Sequence, residues 1–376
     1  MDLPPRAPRP RTTTRDPAEL ERRLAAWVHD WLPGATVGGL NVPSSNGMSS
    51  DTVLFDLHRP DGPVQGCVLR LAPDPDAFAV FPRYDMERQY RTMELVAGRT
   101  KVPVPVLLRL ESDPQQLGAP GFVMERVDGR VPPDVMPYTY GDNWLFDAND
   151  AERERLEQAT VEVLAALHAV PADGEAAFLA PDAPGDTPLR RHVNDQLGYY
   201  RWVVADRPAS PLIERGFARL EELWPQDEGE AVLSWGDARV GNIIYQGFGP
   251  AAVLDWEMAS LGPRELDLAW LIYLHRFFQD LTEGSGLPGL PGFLERGRLA
   301  ARYAELTGHT PRDLDFHTLY AALRHAVVML RIAYRQVHFG EAALPEGASG
   351  ADVDRLILHG PTLEAMLDGR YWKDPA

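Results

Sequence analysis

Three polar residues in one short stretch of the sequence have the types and spacing that phosphoryl transfer requires. Asp237 precedes Asn242 by five positions, and Asp255 follows thirteen positions later, at the end of an apolar run. A carboxylate such as Asp237 could orient an acceptor hydroxyl and take its proton, while amide and carboxylate oxygens are the ligands that Mg²⁺ prefers. The pattern therefore predicts Asp237 as the catalytic residue, with Asn242 and Asp255 as ligands of the Mg²⁺ that accompanies ATP.

An aspartate and an asparagine at this spacing also occur in ordinary turns, because both side chains cap loop backbones. The surrounding sequence favours the functional interpretation. Within 231–257, the short apolar runs AVLSW and AAVLDW flank the sequence NIIY, so the three polar residues fall on loops or at strand ends. Loops on a rigid scaffold commonly carry functional groups, and phosphoryl transfer depends mainly on such positioning.

The first third of the sequence predicts a small α+β lobe. Asp16, Pro17 and Glu19 are the residue types of a helix N-terminus, and this helix should run to about Leu32. Alternating apolar residues separated by turn signals predict antiparallel strands with one helix inserted among them. The predicted strands are 52–57, 66–71, 102–111 and 119–129, and the inserted helix is 85–97.

Helical periodicity dominates the remaining sequence. The predicted helices are 152–169, 189–205, 211–224, 265–281, 291–307 and 313–339. The expected fold class is therefore α+β with two lobes. We divide the chain into a disordered arm (1–15), an N-lobe that binds nucleotide (16–127) and a larger, mainly helical C-lobe that carries the catalytic and acceptor-binding groups (128–376).

These motifs resemble those of the aminoglycoside phosphotransferase and choline kinase family, which has a bilobal protein-kinase-like fold. The family pattern reads H-G-D-x-x-x-x-N, then I-D-W/F-E/G, then G-x-P-x-x-D-L-A, and the resemblance spans residues 30–340. The matching segments are 235–242, 254–257 and 262–269. The sequences VLRLAP, MPYTYGDNWL and LAALHAV are most similar to the branch resembling the kinase domain fused to some acyl-CoA dehydrogenases.

The resemblance assigns the same roles as the chemistry does. It implies a catalytic role for Asp237 and metal-binding roles for Asn242 and Asp255. It also implies that Asp267 braces the catalytic loop from the following helix, although an acidic residue in a first helical turn is also common on a helix surface. Arg239 could add positive charge beside the transferred phosphate, or it could face solvent.

Two departures from the family pattern concern the catalytic loop and the phosphate-binding strand. Trp235 replaces a histidine, and an aromatic side chain could fill that space while losing the hydrogen bonds of the histidine. The chain has two lysines, Lys101 and Lys373, and neither lies on a suitable strand, so Arg70 stands where the family has its phosphate-binding lysine. Arginine keeps the positive charge but changes its geometry, and Arg70 could instead simply extend from a strand edge.

A third departure concerns the partner of that cation. Gln89 stands where the family has a glutamate, and it could accept a hydrogen bond but could not neutralise an arginine. Glu87 or Glu94 could take over this pairing, and the sequence does not choose between them. The three departures leave open a weakened enzyme or a pseudokinase.

Further nucleotide contacts follow from the resemblance. The Ser44-Ser45-Asn46 sequence occupies the position of the loop that covers the phosphates, where hydroxyls and backbone amides could contact ATP. A plain polar turn is the alternative for this sequence. The backbones of Glu125 and Val127 correspond to the hinge that binds adenine, an assignment for which the family is the only support.

Composition limits the partners and the compartment. The net charge of -18 disfavours nucleic acid and anionic membranes, since both require a basic surface. We expect a cytoplasmic protein, because the sequence shows neither a membrane-spanning apolar stretch nor a signal peptide. Cys67 is the single cysteine, which excludes an intrachain disulfide and a cysteine-based zinc site. The oligomeric state is left open.

The sequence thus predicts an ATP- and Mg²⁺-dependent phosphotransferase whose partners are a nucleotide and a small-molecule hydroxyl acceptor. The acidic charge and the motifs suit an aminoglycoside, whereas the branch resemblance suits an endogenous metabolite or a hydroxyacyl thioester. A catalytically weak nucleotide-binding module is the alternative from another class. A protein kinase is disfavoured, because no Ala-Pro-Glu sequence follows Asp255 before the Asp267 helix.

Overall fold

A computed structural model describes residues 15–43, 50–74, 78–172, 174–345 and 347–372. The chain divides into two compact units. The first holds the described residues of Met1–Arg91 together with Pro105–Arg126 and Arg335–Glu341. The second consists of the described residues of Thr92–Val104, Val127–Tyr334 and Ala342–Ala376.

The first unit is built on an antiparallel sheet of five strands, in the spatial order β1-β2-β3-β5-β4. Local sequence explains the start of its first helix, because the Asp16 side chain accepts from the N–H of Ala18 and a proline occupies the first turn. In chain order the elements are α1 (Pro17–Trp31), β1 (Thr36–Asn41), β2 (Asp51–His58), β3 (Gln65–Leu71), α2 (Met86–Arg99), β4 (Leu107–Glu111), α3 (Pro114–Leu117) and β5 (Gly121–Glu125).

The two faces of the sheet have different partners. Cys67, Leu69 and Leu71 alternate along β3 and join Leu24 of α1 in one buried apolar cluster. Arg70 therefore points to the opposite face, where its register partner on β5 is Phe122. The Phe122 ring lies 5.9 Å from the ring of Tyr90 on α2, so Arg70 emerges on the face that α2 covers.

The second unit is mainly helical and contains two small antiparallel sheets. Its helices are α4 (Asp150–Leu167), α5 (Pro188–Val203), α6 (Pro211–Glu222), α7 (Glu265–Gly284), α8 (Arg296–Thr307), α9 (Leu314–His338), α10 (Gly350–Asp354) and α11 (Gly360–Leu367). Its strands are β6 (Ala231–Ser234), β7 (Ile243–Gln246), β8 (Gly249–Val253) and β9 (Ser260–Pro263), paired as β6 with β9 and β7 with β8. The last four residues of α9 lie in the first unit.

These two small sheets frame the segment with the predicted site. Strand β6 ends at Ser234, which pairs with Ser260 at the start of β9. The β7–β8 hairpin lies between them in sequence, and α7 begins two residues after β9. The loop before β7, the turn after β8 and the first turn of α7 are consequently held by short, fixed connections.

The predicted α+β fold is confirmed, with a small antiparallel sheet and a larger helical part. The sequence did not predict strands β1 and β9, nor the short helices α3, α10 and α11. Predicted helix 291–307 begins only at Arg296, because Leu294 adopts a φ of +48° and Glu295 caps the helix.

The predicted lobes and the two compact units differ in detail. Residues 92–104 belong to the second unit, where Arg99 pairs with Glu175 and the Pro103 carbonyl accepts from Val253. Of the predicted arm, residues 1–14 lie outside the described residues, and Arg15 forms an ion pair with Asp51 at 3.2 Å. Within the described ranges, every helix is too short or too polar to cross a membrane.

Buried histidines make the stability of the fold sensitive to acid. Burial lowers the pKa of His275 to about 3 and the pKa values of His317 and His359 to about 4. Their folded-state pKa values lie below the ordinary 6.5, so the unfolded chain binds protons more readily. The stability that these three histidines contribute as buried neutral rings is complete above pH 6.5. It is lost as the pH falls toward their folded-state pKa values.

We expect the free energy of unfolding to fall between pH 6.5 and pH 5, and His359→Gln to make this fall less steep by at most about 1.4 kcal/mol per pH unit. Urea titrations at several pH values measure both slopes. The control is His58→Gln, because His58 is exposed. Equal slopes in the wild type and His359→Gln would contradict the assignment.

Candidate active site

Residues 235–242, called the central loop here, connect β6 to β7 through a backbone that only glycine fits. Gly236 adopts a φ of +90°, in the left-handed region. A Cβ atom at this position would lie 2.0 Å from the carbonyl oxygen of Met258. The glycine of the motif is therefore required by the close approach of the Met258 backbone, which brings the central loop against the turn after β8.

Asp267, in the first turn of α7, anchors the central loop. Its Oδ1 accepts from the Ser234 hydroxyl at 2.9 Å and the Gly236 N–H at 2.8 Å. Its Oδ2 accepts from the Trp235 N–H at 2.7 Å and from His168 Nε2 at 3.1 Å. The residue is fully buried, so the alternative of a helix-surface aspartate is wrong and the bracing contact is present.

Hydrogen bonds stabilise the ionised form of the Asp267 carboxyl group. Burial alone raises the pKa of Asp267, but the bonds from His168 and from the main chain of Gly236 and Trp235 outweigh it and hold the pKa below its ordinary value. His168 ends α4 and also contacts the Tyr303 hydroxyl at 2.8 Å. The anchor thus ties α4, β6 and α7 to one carboxylate.

The carboxylate of Asp237 is held by donors from three directions. Oδ1 accepts from the indole N–H of Trp270 on α7 at 2.7 Å. Oδ2 accepts from Asn242 Nδ2 at 2.7 Å and from Arg239 Nε at 3.0 Å. The side chain keeps 16% of its surface exposed. It is fixed in place and still accessible.

Asn242 is oriented by both its backbone and its amide. Its N–H donates to the Arg239 carbonyl at 3.0 Å, and its own carbonyl accepts from Leu254 at 2.8 Å. Because Nδ2 donates to Asp237, Oδ1 is the amide atom that could coordinate a metal. The structure therefore brings two of the three predicted site residues into direct contact and links them to the strand end that precedes Asp255.

Asp255 lies in the turn after β8 with an unusual backbone. Its φ of +61° is in the left-handed region, which aspartate tolerates better than most residues. The indole N–H of Trp235 donates to the carbonyl of Leu254 at 2.9 Å and to that of Asp255 at 3.2 Å. Trp235 thus fills this position and makes hydrogen bonds of its own, through which the indole reaches the Asp255 turn directly.

The structure also resolves the alternatives for Arg239. Its guanidinium bridges two carboxylates, with Nε on Asp237 and Nη1 on Asp134. Burial opposes its charge, but Asp237 and Asp134 outweigh this effect and raise the pKa of Arg239. The side chain is 22% exposed, so Arg239 is an internal bridge of the site and does not simply face solvent.

No cluster of three or more His, Cys, Asp or Glu side chains that could cage a metal occurs among the described residues. Mg²⁺ is usually held by one or two carboxylates together with substrate phosphates and waters. Asn242 and Asp255 supply oxygen donors suited to that arrangement, so the donor set fits Mg²⁺ bound jointly with a phosphate.

Three residues near Asp237 were missed by sequence reasoning. Trp270 donates to Asp237, which lies 33 residues before it in the sequence. Asp134 accepts from Arg239, which lies 105 residues after it. Arg324, on α9, is 2% exposed and donates to the Gly236 carbonyl at 3.2 Å. An arginine within the apolar run of α9 was the one available signal, since charged residues are rarely buried without a partner.

Of the other predicted residues, Arg70 and Glu125 lie in the first unit and Val127 lies in the second. Arg70 contacts the hydroxyl of Thr52 at 3.3 Å. Glu125 ends β5, and its carboxylate accepts from Gln65. Val127 lies outside any strand, and its N–H has no hydrogen-bond acceptor among the described residues. Ser44, Ser45 and Asn46, the predicted phosphate loop, lie outside the described residues.

The residues of α2 that the sequence offered as partners of Arg70 differ in their exposure. Gln89, where the family has that glutamate, is 4% exposed, and its amide lies 3.8 Å from the Met86 sulfur. Glu87 and Glu94 are both exposed residues of the same helix. Gln89 is thus part of the packing under α2.

We expect Gly236→Ala to lower the free energy of unfolding by about 2 kcal/mol more than Gly247→Ala. Both glycines have positive φ, but a Cβ at Gly247 would meet nothing within 4 Å, whereas a Cβ at Gly236 would meet the Met258 carbonyl. Chemical denaturation of both variants measures the difference. Equal losses would show that the close approach of the two backbones is not required.

Comparison with known proteins gives the family of the chain. Residues 42–305 match the model of the Phosphotransferase enzyme family. The chain is 30% identical to acyl-CoA dehydrogenase family member 10 of Mus musculus, over 73% of this chain and 25% of that protein. It is 31% identical to family member 11 of Gallus gallus, over 68% of this chain and 30% of the relative. The chain thus spans about a quarter to a third of these curated relatives.

Solved structures of phosphotransferases share the fold of this chain. A Ralstonia eutropha JMP134 protein assigned as an aminoglycoside phosphotransferase matches with a TM-score of 0.63 and 24% identity, over 93% of this chain and 96% of that one. Macrolide 2'-phosphotransferase from Brachybacterium faecium matches with a TM-score of 0.54 and 20% identity, over 94% and 98% of the two chains. At these identities the structures show a shared kinase-like fold. The matched family model shows that the chain belongs to the Phosphotransferase enzyme family.

Proposed function

We propose that this protein is an ATP- and Mg²⁺-dependent O-phosphotransferase that acts on the hydroxyl of a small molecule. The observation that carries the proposal is the carboxylate of Asp237, which is fixed by Trp270, Asn242 and Arg239 while part of its surface stays accessible. A carboxylate held in one orientation can align an acceptor hydroxyl and receive its proton during transfer.

The residues around Asp237 are assigned the other roles in the proposed reaction. Asn242 Oδ1 and the carboxylate of Asp255 would hold Mg²⁺, which neutralises charge on the phosphates when bound. Arg239 keeps a permanent positive charge on the side of Oδ2 and limits the build-up of negative charge around Asp237. Trp235 joins the main chain at Asp255 to the central loop by hydrogen bonds. These bonds would keep the proposed metal ligands Asn242 and Asp255 close to Asp237.

Nucleotide binding is proposed for Arg70, Glu125 and Val127. Arg70 would fork onto phosphate oxygens, because its side chain leaves the sheet on the face covered by α2. The backbones of Glu125 and Val127 are proposed to contact the adenine base, as the family resemblance implies. Two fold neighbours support nucleotide use, since one was solved with AMP-PNP and hygromycin B and another with ADP.

For the acceptor, we favour an endogenous hydroxylated metabolite or hydroxyacyl thioester over an aminoglycoside. The support is that the curated relatives at 30% and 31% identity are acyl-CoA dehydrogenase family members. The structures of aminoglycoside and macrolide phosphotransferases match at 24% identity or less. A pseudokinase is less well supported, because Trp235 links the central loop to the Asp255 turn by hydrogen bonds.

We expect Asp237→Asn to lower kcat by about a hundredfold or more while ATP binding is retained. The amide cannot take the hydroxyl proton, but it leaves the nucleotide contacts in place. Phosphate transfer and ATP titration measure the two effects. The control is Asp227→Asn, which removes a surface carboxylate paired with Arg312. Turnover equal to that of the control would rule out the assigned role.

Asp255→Ala should abolish the dependence of ATP binding on Mg²⁺. The carboxylate is proposed as a metal ligand, so without it the nucleotide should bind weakly and to the same extent with and without the metal. Calorimetric titration with ATP in the presence of Mg²⁺ or of a chelator measures this. Binding that Mg²⁺ still strengthens as in the wild type would contradict the assignment.

The function itself is tested by a transfer screen. Purified protein, ATP and Mg²⁺ are combined with aminoglycosides, amino alcohols, sugars and hydroxyacyl thioesters, and phosphorylated product is detected by mass spectrometry. We expect product with at least one hydroxylated metabolite or thioester. Tight ATP binding without transfer to any of them would support the nucleotide-binding module instead.

A further inference from the structure

The indole of Trp270 makes a contact that neither the sequence motifs nor the family match assigns. Trp270 lies on α7, three positions after Asp267, and is 4% exposed. Its Nε1–H donates to Asp237 Oδ1 at 2.7 Å, a short distance for a hydrogen bond to a carboxylate. The helix that anchors the central loop through Asp267 therefore also reaches the proposed base.

The two oxygens of Asp237 are not equivalent. A carboxylate accepts about four hydrogen bonds, two at each oxygen. Oδ2 has both positions filled, by Asn242 Nδ2 and Arg239 Nε. Oδ1 has one described donor, the indole of Trp270. The remaining acceptor position of the carboxylate is therefore on Oδ1. The hydrogen bond from the indole N–H orients the carboxylate and so determines the direction in which this open position faces.

The indole plane is itself fixed. The guanidinium carbon of Arg324 lies 4.5 Å from the ring centroid of Trp270. The ring of His325 meets it edge-on, with centroids 6.4 Å apart and planes at 77°. Arg324 also donates to the carbonyl of Gly236. The ring that holds Asp237 and the backbone that carries Asp237 thus share one buried arginine.

We propose that Trp270 is a positioning residue, which holds Asp237 so that the open acceptor position of Oδ1 meets the hydroxyl to be phosphorylated. This inference rests on the proposed function. In the step, the hydroxyl oxygen forms a bond to the γ-phosphorus, the bond from that phosphorus to the bridging oxygen breaks, and ADP leaves. The hydroxyl proton passes to Oδ1 of Asp237.

Trp270→Phe keeps an aromatic ring but removes the N–H. Its expected effect is a loss in kcat of about tenfold to a hundredfold, the value of one hydrogen bond to a charged group. The KM for ATP should stay within about twofold of the wild type, because no nucleotide contact is removed. A kcat within about threefold of the wild type would overturn the proposal, as would a loss confined to KM.

The chain offers a closely matched control. Trp224 also donates its indole N–H to a carboxylate, Glu228, at 2.7 Å, and it also lies under an arginine, with the Arg190 guanidinium carbon 3.4 Å from its ring centroid. Trp224→Phe removes the same kind of hydrogen bond away from the central loop. It should keep wild-type kcat, and an equal loss in both variants would overturn the specific role of Trp270.

A second measurement does not depend on activity. The indole ¹H–¹⁵N resonances of Trp270 and Trp224 are assigned through their backbones in the wild type and recorded again in Asp237→Asn. The Trp270 resonance should move and the Trp224 resonance should not. An unmoved Trp270 resonance overturns the contact even if Trp270→Phe fails to fold. If the resonance moves but the wild type transfers phosphate to no acceptor, the proposed function fails while the contact stands.

Discussion

The buried carboxylate of Asp267 is the interaction on which the candidate site depends. It accepts from the backbone of Trp235 and Gly236, the hydroxyl of Ser234 and the ring of His168. Without it, several buried donors would lose their acceptor, at about 1–3 kcal/mol for each unsatisfied group. These bonds fix the conformation of the central loop where it leaves strand β6, and they attach it to α7.

The conformation of the central loop positions the groups that are proposed to carry out the reaction. The loop turns at Gly236, where only glycine allows the approach of the Met258 carbonyl, and it then presents Asp237 between the indole of Trp270 and the amide of Asn242. Trp235 connects the same loop to the turn at Asp255. A residue that departs from the family pattern therefore keeps the proposed base and metal ligands in one connected framework.

The sequence predicted the groups whose spacing is local, and it failed where contacts are distant. Asp237 and Asn242 belong to one loop, so their spacing and the surrounding sequence indicated a shared role, and the structure places the two side chains in direct contact. Trp270 and Arg324 reach the loop from α7 and α9, and no local pattern reveals which helical side chains will face a carboxylate. Strand β9 has the sequence SLGP and exists because β6 pairs with it, since short strands depend on their partners more than on propensity.

The central claim is that the loop anchored by Asp267 holds Asp237, Asn242 and Asp255 for transfer of phosphate from Mg²⁺-bound ATP. The most direct measurement is a crystal structure with Mg²⁺ and a non-hydrolysable ATP analogue. We expect a metal bound by Asn242 Oδ1 and the Asp255 carboxylate at about 2.1 Å, with Asp237 still held by Trp270. A nucleotide whose metal contacts neither residue, or whose phosphates lie away from Asp237, would contradict it.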